Sequence, residues 1–189
     1  MTGKRQLTVL GSTGSIGRST LDVVSRCDNI SIFALSAYRN SELLLSQCLQ
    51  HEPKYAVLLD LEQRKHFKRL LAVSGCKTEF LDTEDALEFI AAHEQVDVVM
   101  AAIVGAAGLS SGLAAVSAGK CLLLANKESL IMSGKLFIET AKRNNADIIP
   151  IDSEHNAIFQ CLAETRSGLL PTDGRFVDKL VLTASGGPF

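Results

Sequence analysis

A glycine-rich run, Gly11-Ser12-Thr13-Gly14-Ser15-Ile16-Gly17, follows an apolar stretch from Gln6 to Leu10 and opens a helical pattern in Ile16, Thr20, Val23, Val24 and Cys27. Glycines there let backbone N–H groups come close to a phosphate, and the helix behind them presents its positive end to the anion. The spacing is G-x-x-G-x-x-G, with Thr13 where the common dinucleotide fingerprint has its second glycine, so an unliganded βα turn is the plainer alternative. The next strand ends Leu35-Ser36-Ala37-Tyr38-Arg39-Asn40, without the acid that binds an NAD ribose. Arg39 instead offers a cationic fork suited to a 2′-phosphate, which favours NADPH over NADH; a solvated loop cation is its plainer reading.

Three later segments put polar residues just beyond an apolar strand, the edge where open α/β sheets bind ligands. In Asn126-Lys127-Glu128, Asn126 is a candidate helix cap, Glu128 a complement to the helix dipole, and Lys127 a cation for a ligand or for solvent. In Asp152-Ser153-Glu154-His155, an extended backbone would send both carboxylates to one side. There they could share a Mg²⁺ or Mn²⁺ that keeps sites open for substrate oxygens; a solvated acidic turn is the alternative, and His155 reads as packed or surface rather than ligating. In Thr183-Ala-Ser185-Gly186-Gly187-Pro188-Phe189, a hydroxyl and two glycines suit either a phosphate nest or an ordinary turn.

Short β-rich runs alternate with longer helical patterns along the chain. We expect strands near Leu7–Leu10, Ser31–Ser36, Ala56–Leu59, Asp97–Ile103, Cys121–Leu124, Ile148–Ile151 and Lys179–Thr183, with helices between. That alternation predicts an α/β fold, a Rossmann-like, doubly wound, mostly parallel sheet over residues 1–150, with the beginning of an α+β catalytic domain over 151–189. A surface loop is expected from Glu164 to Asp173.

With 189 residues and a net charge of -2, the chain has no basic footprint for nucleic acid. The apolar stretch from Val98 to Leu109 is too short to span a bilayer, so no membrane partner is expected. Five widely spaced cysteines without C-x-x-C pairs fit a reducing cytoplasm.

Taken together, GSTGSIG with STLDVV, AAIVGAAGL, LLANKESL, IDSEHNAIFQ and SGGPF resemble, from Gln6 to Phe189, the 1-deoxy-D-xylulose 5-phosphate reductoisomerases of isoprenoid precursor synthesis. The resemblance implies an enzyme, in its whole form a homodimer, that turns 1-deoxy-D-xylulose 5-phosphate into 2-C-methyl-D-erythritol 4-phosphate with NADPH and Mg²⁺, Mn²⁺ or Co²⁺. It also implies that the chain is an N-terminal portion, expected to bind NADPH without turnover. By the same resemblance Thr13, Gly14, Ser15 and Ile16 hold the pyrophosphate, Arg39 and Asn40 the 2′-phosphate end, and Asn126 and Glu128 further parts of NADPH. Lys127, Ser153, Glu154 and Ser185 would bind substrate, Asp152 and Glu154 the metal, with Lys127 and Glu154 catalytic. Tyr38 departs from the small residue common at its place, and its ring offers a face for adenine.

Two other readings compete. A semialdehyde dehydrogenase would need a cysteine nucleophile, for which Cys121 in a strand and Cys161 on an apolar helix face lack an evident base. A non-catalytic NADP-sensing module would leave Lys127, Asp152 and Glu154 without a role.

Overall fold

The computed structural model describes residues 3–162 and 177–181, in two compact units, Met1–Ile149 and Pro150–Phe189. In the first unit strands β1 (Arg5–Leu10), β2 (Ile30–Ala37), β3 (Tyr55–Leu58), β4 (Glu79–Leu81), β5 (Val98–Ala101) and β6 (Cys121–Leu124) alternate with helices α1 (Ser15–Val24), α2 (Ser41–His51), α3 (Leu61–Ser74), α4 (Ala86–Ala92), α5 (Leu109–Ser117) and α6 (Lys127–Arg143). The short strand β7 (Ile148–Pro150) completes a seven-stranded sheet of order β4-β3-β2-β1-β5-β6-β7, and helix α7 (Ser153–Cys161) follows in the second unit. The pairings β1–β2, β1–β5, β2–β3, β3–β4 and β5–β6 are all parallel. The chain winds outward from β1 to β4, returns to the middle, and winds the other way from β5. The loops after β1 and β5 therefore diverge and leave a crevice between them, the switch point of a doubly wound sheet.

The strands read as continuous apolar runs because helices cover both faces. All four residues of β3 and the last six of β2 are buried. Phe33, Leu87, Ile90, Val99, Val116, Leu122 and Phe137 belong to one core. Burying side chains of that size contributes roughly 1.5–3 kcal/mol each. Elsewhere α3 brings Phe67 edge-on to Phe80 of β4, with ring centroids 5.2 Å apart.

The expected strands are present at six of seven places, and three details differ. The central run stops at Ala101, because residues 102–104 leave the sheet towards a 3-10 turn over Gly105–Gly108. Strand β4 was not expected: three edge residues, Glu79 exposed and Phe80 and Leu81 half-buried, carry no alternation to read. Residues 179–181 form no strand; a strand exists only through a ladder partner, and Leu180 and Val181 stand exposed. The rest of that run and the loop expected from Glu164 to Asp173 lie outside the described residues. Among the described residues no helix is long and apolar enough to cross a membrane.

At the end of the sheet away from the glycine loop, His93 packs on Phe33, with ring centroids 4.6 Å apart, and edge-on against Phe89 at 5.3 Å. Its Nδ1 accepts from the Gln95 N–H at 3.1 Å, so the ring is neutral there. Burial, reinforced by the Lys54 charge, holds its pKa below the ordinary value of 6.5, and burial also lowers that of His51. A histidine depressed in the fold takes up protons on unfolding, so its contribution is present above pH 6.5 and is lost as pH falls through the folded value. The thermal midpoint should therefore fall on acidification below that pH, and His93→Phe should flatten the slope, leaving the part due to His51. A slope unchanged in the variant would contradict this.

Candidate functional site

The glycine loop is shaped by close approach of backbone to backbone. Gly11 has φ +84°, a left-handed conformation, and a Cβ there would sit 2.8 Å from the Ala102 carbonyl oxygen. One turn into α1, a Cβ on Gly17 would lie 2.4 Å from the Gly11 oxygen and 2.5 Å from the Ser12 Cα. Any side chain at either place drives the loop off the sheet.

Buried hydrogen bonds fix the loop from outside. The Ser12 N–H donates to the Ser36 carbonyl at 2.7 Å and the Gly11 N–H to the Ser36 hydroxyl at 3.0 Å. From α2, Gln47 accepts from the Ser12 hydroxyl at 2.7 Å and returns an N–H to the Ser12 carbonyl at 2.9 Å. Ser12, Ser36 and Gln47 escaped the sequence reading. The signal was a glutamine on the apolar face of α2, three residues after Leu44 and one before Cys48, all buried.

Gly14 caps α1 without a side-chain hydrogen bond, and the first turn holds no acidic residue. The amides opening that helix have no partners within it and suit an anion. Across the crevice Asn126 is 3% exposed, and its Nδ2 donates to the Ile103 carbonyl at 2.6 Å and the Gly105 carbonyl at 2.8 Å. It stands at the N-cap of α6 yet makes no side-chain cap, which removes the capping role considered above. Its buried Oδ1 has no hydrogen-bond partner among the described residues. Gly14, Ser15, Ile16, Ala102, Ile103, Val104, Ala125 and Asn126 line a single cleft of about 160 Å³. An orphaned buried acceptor costs about 1–3 kcal/mol, which a donor on a ligand in this cleft would recover.

Thr13 is half-buried in the loop, and Lys127 and Glu128 open α6 next to Asn126, the lysine exposed and the glutamate half-buried. Arg39 and Asn40 emerge exposed at the end of β2. The Asn40 side-chain Oδ1 caps α2, accepting from the Leu43 N–H at 3.1 Å, so its side-chain NH2 group is the part left for a ligand. The Arg39 guanidinium lies over the Tyr38 ring, 5.3 Å from its centroid.

The acidic segment is not the extended pair expected. Asp152 is the N-cap of α7 and Glu154 already lies in its first turn, so the two carboxylates do not follow strand alternation. Asp152 Oδ2 pairs with His155 Nδ1 at 2.5 Å, and the Ser153 hydroxyl donates to Glu154 Oε2 at 2.8 Å. Among the described residues no group of three or more His, Cys, Asp or Glu is placed to hold an ion. Asp152 and Glu154 thus offer two hard oxygen donors on one helical turn, a set that suits Mg²⁺ or Mn²⁺ when other oxygens complete the shell. Ser185 lies outside the described residues. Of the candidate nucleophiles, Cys121 is half-buried in β6, and Cys161 is exposed rather than on a packed face. Burial and then the neighbouring Cys76 push the Cys48 thiol up to about 12, far from a reactive thiolate.

Residues 7–134 match the model of the family "1-deoxy-D-xylulose 5-phosphate reductoisomerase", and residues 148–189 the model of the C-terminal domain of the same enzyme. The curated reductoisomerase of Tolumonas auensis is 54% identical over 187 residues, which cover 97% of this chain and 47% of that protein. The solved DOX-P reductoisomerase with NADPH, fosmidomycin and magnesium is 46% identical with a TM-score of 0.81, over 86% of this chain and 40% of that one. The Zymomonas mobilis enzyme in complex with NADPH is 42% identical with a TM-score of 0.80, over 87% and 43% respectively. The chain spans about half the length of the curated relatives it matches.

The anchoring of the loop can be tested apart from any ligand. Gln47→Leu leaves the buried Ser12 hydroxyl and carbonyl without these partners, and urea unfolding should show a loss of about 1–3 kcal/mol. An unchanged midpoint would mean that Gln47 does not brace the loop.

Proposed function

This chain belongs to the 1-deoxy-D-xylulose 5-phosphate reductoisomerase family, and from that membership we propose that it furnishes the NADPH-binding part and the first metal ligands of an enzyme converting 1-deoxy-D-xylulose 5-phosphate to 2-C-methyl-D-erythritol 4-phosphate. The observation that carries the cofactor reading is Asn126, which lines the same cleft as Gly14, Ser15 and Ile16 and has a buried Oδ1 with no hydrogen-bond partner among the described residues. It supplies an acceptor opposite the anion-receptive end of α1, an arrangement suited to a molecule that carries both a phosphate and a hydrogen-bond donor.

In this reading residues 1–150 form the cofactor domain and 151–189 the start of the catalytic domain. Thr13, Gly14, Ser15 and Ile16 receive the pyrophosphate on backbone N–H groups. Arg39, with the Asn40 amide, neutralises and hydrogen-bonds the 2′-phosphate. Asn126 and Glu128 orient the remainder of NADPH. Asp152 and Glu154 ligate Mg²⁺, Mn²⁺ or Co²⁺, while Lys127, Ser153, Glu154 and Ser185 bind the sugar phosphate. NADPH held there would supply a hydride, and a divalent ion held by Asp152 and Glu154 would supply a Lewis acid for the oxygens of the sugar. The chain's own part is to position these partners and to counter developing negative charge with the exposed Lys127 ammonium. The reading extends to a cytoplasmic homodimer; five widely spaced cysteines without C-x-x-C pairs support a reducing compartment.

Nicotinamide fluorescence serves as the binding signal, because the chain has no tryptophan. NADPH should bind more tightly than NADH by roughly tenfold or more, and Arg39→Asp should abolish the difference. Equal affinities in the parent chain would remove the role of Arg39 and the cofactor preference together. For the metal, Mn²⁺ titrated into the chain should bind more weakly after Asp152→Asn and again after Glu154→Gln; binding indifferent to both would end the assignment of those carboxylates.

A further inference from the structure

We propose that Tyr38 is an adenine-stacking residue which raises affinity for NADPH and NADH alike, an inference that rests on the cofactor reading above. The chain has two tyrosines. Tyr55 is 9% exposed and closed in by Phe33 and Phe89, whereas Tyr38 is 60% exposed at the end of β2. Its backbone is nevertheless held on both sides. The Leu59 N–H donates to the Ala37 carbonyl at 3.0 Å, the Asp60 N–H to the Tyr38 carbonyl at 2.8 Å, and the Ser41 N–H to the Arg39 carbonyl at 2.9 Å. An exposed aromatic ring on a pinned backbone is a preorganised surface, which binds without paying to order a loop.

Its place in the fold selects the ligand. Tyr38 follows by two residues the Ser36 whose hydroxyl and carbonyl hold the glycine loop, a distance of about 7 Å along extended chain. A dinucleotide whose pyrophosphate sits at that loop directs its adenosine to this end of β2. The ring already attracts a planar cation: the Arg39 guanidinium lies 5.3 Å from its centroid. That contact occupies one face of a ring that is 60% exposed, and it would hold the guanidinium beside a ribose whose 2′-phosphate it binds. A purine is a second flat group that such a ring accommodates, whatever its substituents, because stacking reads the π face and not the hydrogen-bonding edge. Arg39 then distinguishes NADPH from NADH while Tyr38 serves both.

The test compares the parent chain with Tyr38→Ala and Tyr38→Phe, using NADPH, NADH and adenosine 2′,5′-bisphosphate, which lacks the nicotinamide half. Tyr38→Ala should weaken all three by roughly tenfold, within the span for loss of one base–aromatic stack. Tyr38→Phe, which keeps the ring, should bind as the parent does, and the bisphosphate should quench tyrosine emission in the parent but not in Tyr38→Ala. An unaltered thermal midpoint in Tyr38→Ala separates lost stacking from lost structure. Unchanged affinities for Tyr38→Ala overturn the proposal, as does a loss confined to the two 2′-phosphorylated ligands, which would reduce the ring to a prop for Arg39. If NADPH still binds in an Arg39-dependent way, only the stacking role has failed; if the parent chain binds no NADPH, the cofactor reading fails and this inference with it.

Discussion

Two segments of backbone meet at Gly11, where only the absence of a Cβ lets the end of β1 pass the Ala102 carbonyl after β5. The site depends on that crossing. It brings the first turn of α1 against residues 102–104, and Gly17 lets the helix settle on the loop in the same way. Parallel β1 and β5 are neighbours whose following connections run in opposite directions, so the crevice between them is a consequence of winding order and not of any one side chain. What side chains add is rigidity. Ser36 and Gln47 satisfy the polar groups of Gly11 and Ser12 that the crossing buries.

This buried polar cluster is also where the sequence was least legible. Strand and helix positions follow from local periodicity, and Leu7–Leu10, Ser31–Ser36 and Cys121–Leu124 could be read that way because each is an apolar run between glycine or polar breaks. The pairing of Ser12 with Gln47 spans 35 residues, and nothing in either neighbourhood announces it. Asn126 shows the same limit in another form: its position before α6 has the pattern of a helix cap, but its Nδ2 donates to the tertiary carbonyls of Ile103 and Gly105 and its Oδ1 makes no cap. The strand β4 was hidden for a different reason, since its three residues gain their conformation from pairing with β3 and not from their own pattern. Motif resemblance adds expected roles for Lys127 and Glu128 that their place beyond a strand leaves open, because it draws on ordered segments along most of the chain.

The two candidate ligand regions differ in how nearly they are formed. Around the glycine loop the backbone amides and the Asn126 acceptor are already placed by buried contacts, so a nucleotide would meet groups that need little rearrangement. The acidic turn is otherwise. Asp152 and Glu154 each spend an oxygen on a neighbour, His155 and Ser153, at the exposed start of α7. Both pairs are local to one turn, and a divalent cation would offer the two carboxylates a stronger electrostatic partner. The geometry of the cleft beside the glycine loop is set by sterics instead, which is why a glycine at position 11 or 17 constrains it more firmly than the charged residues around it.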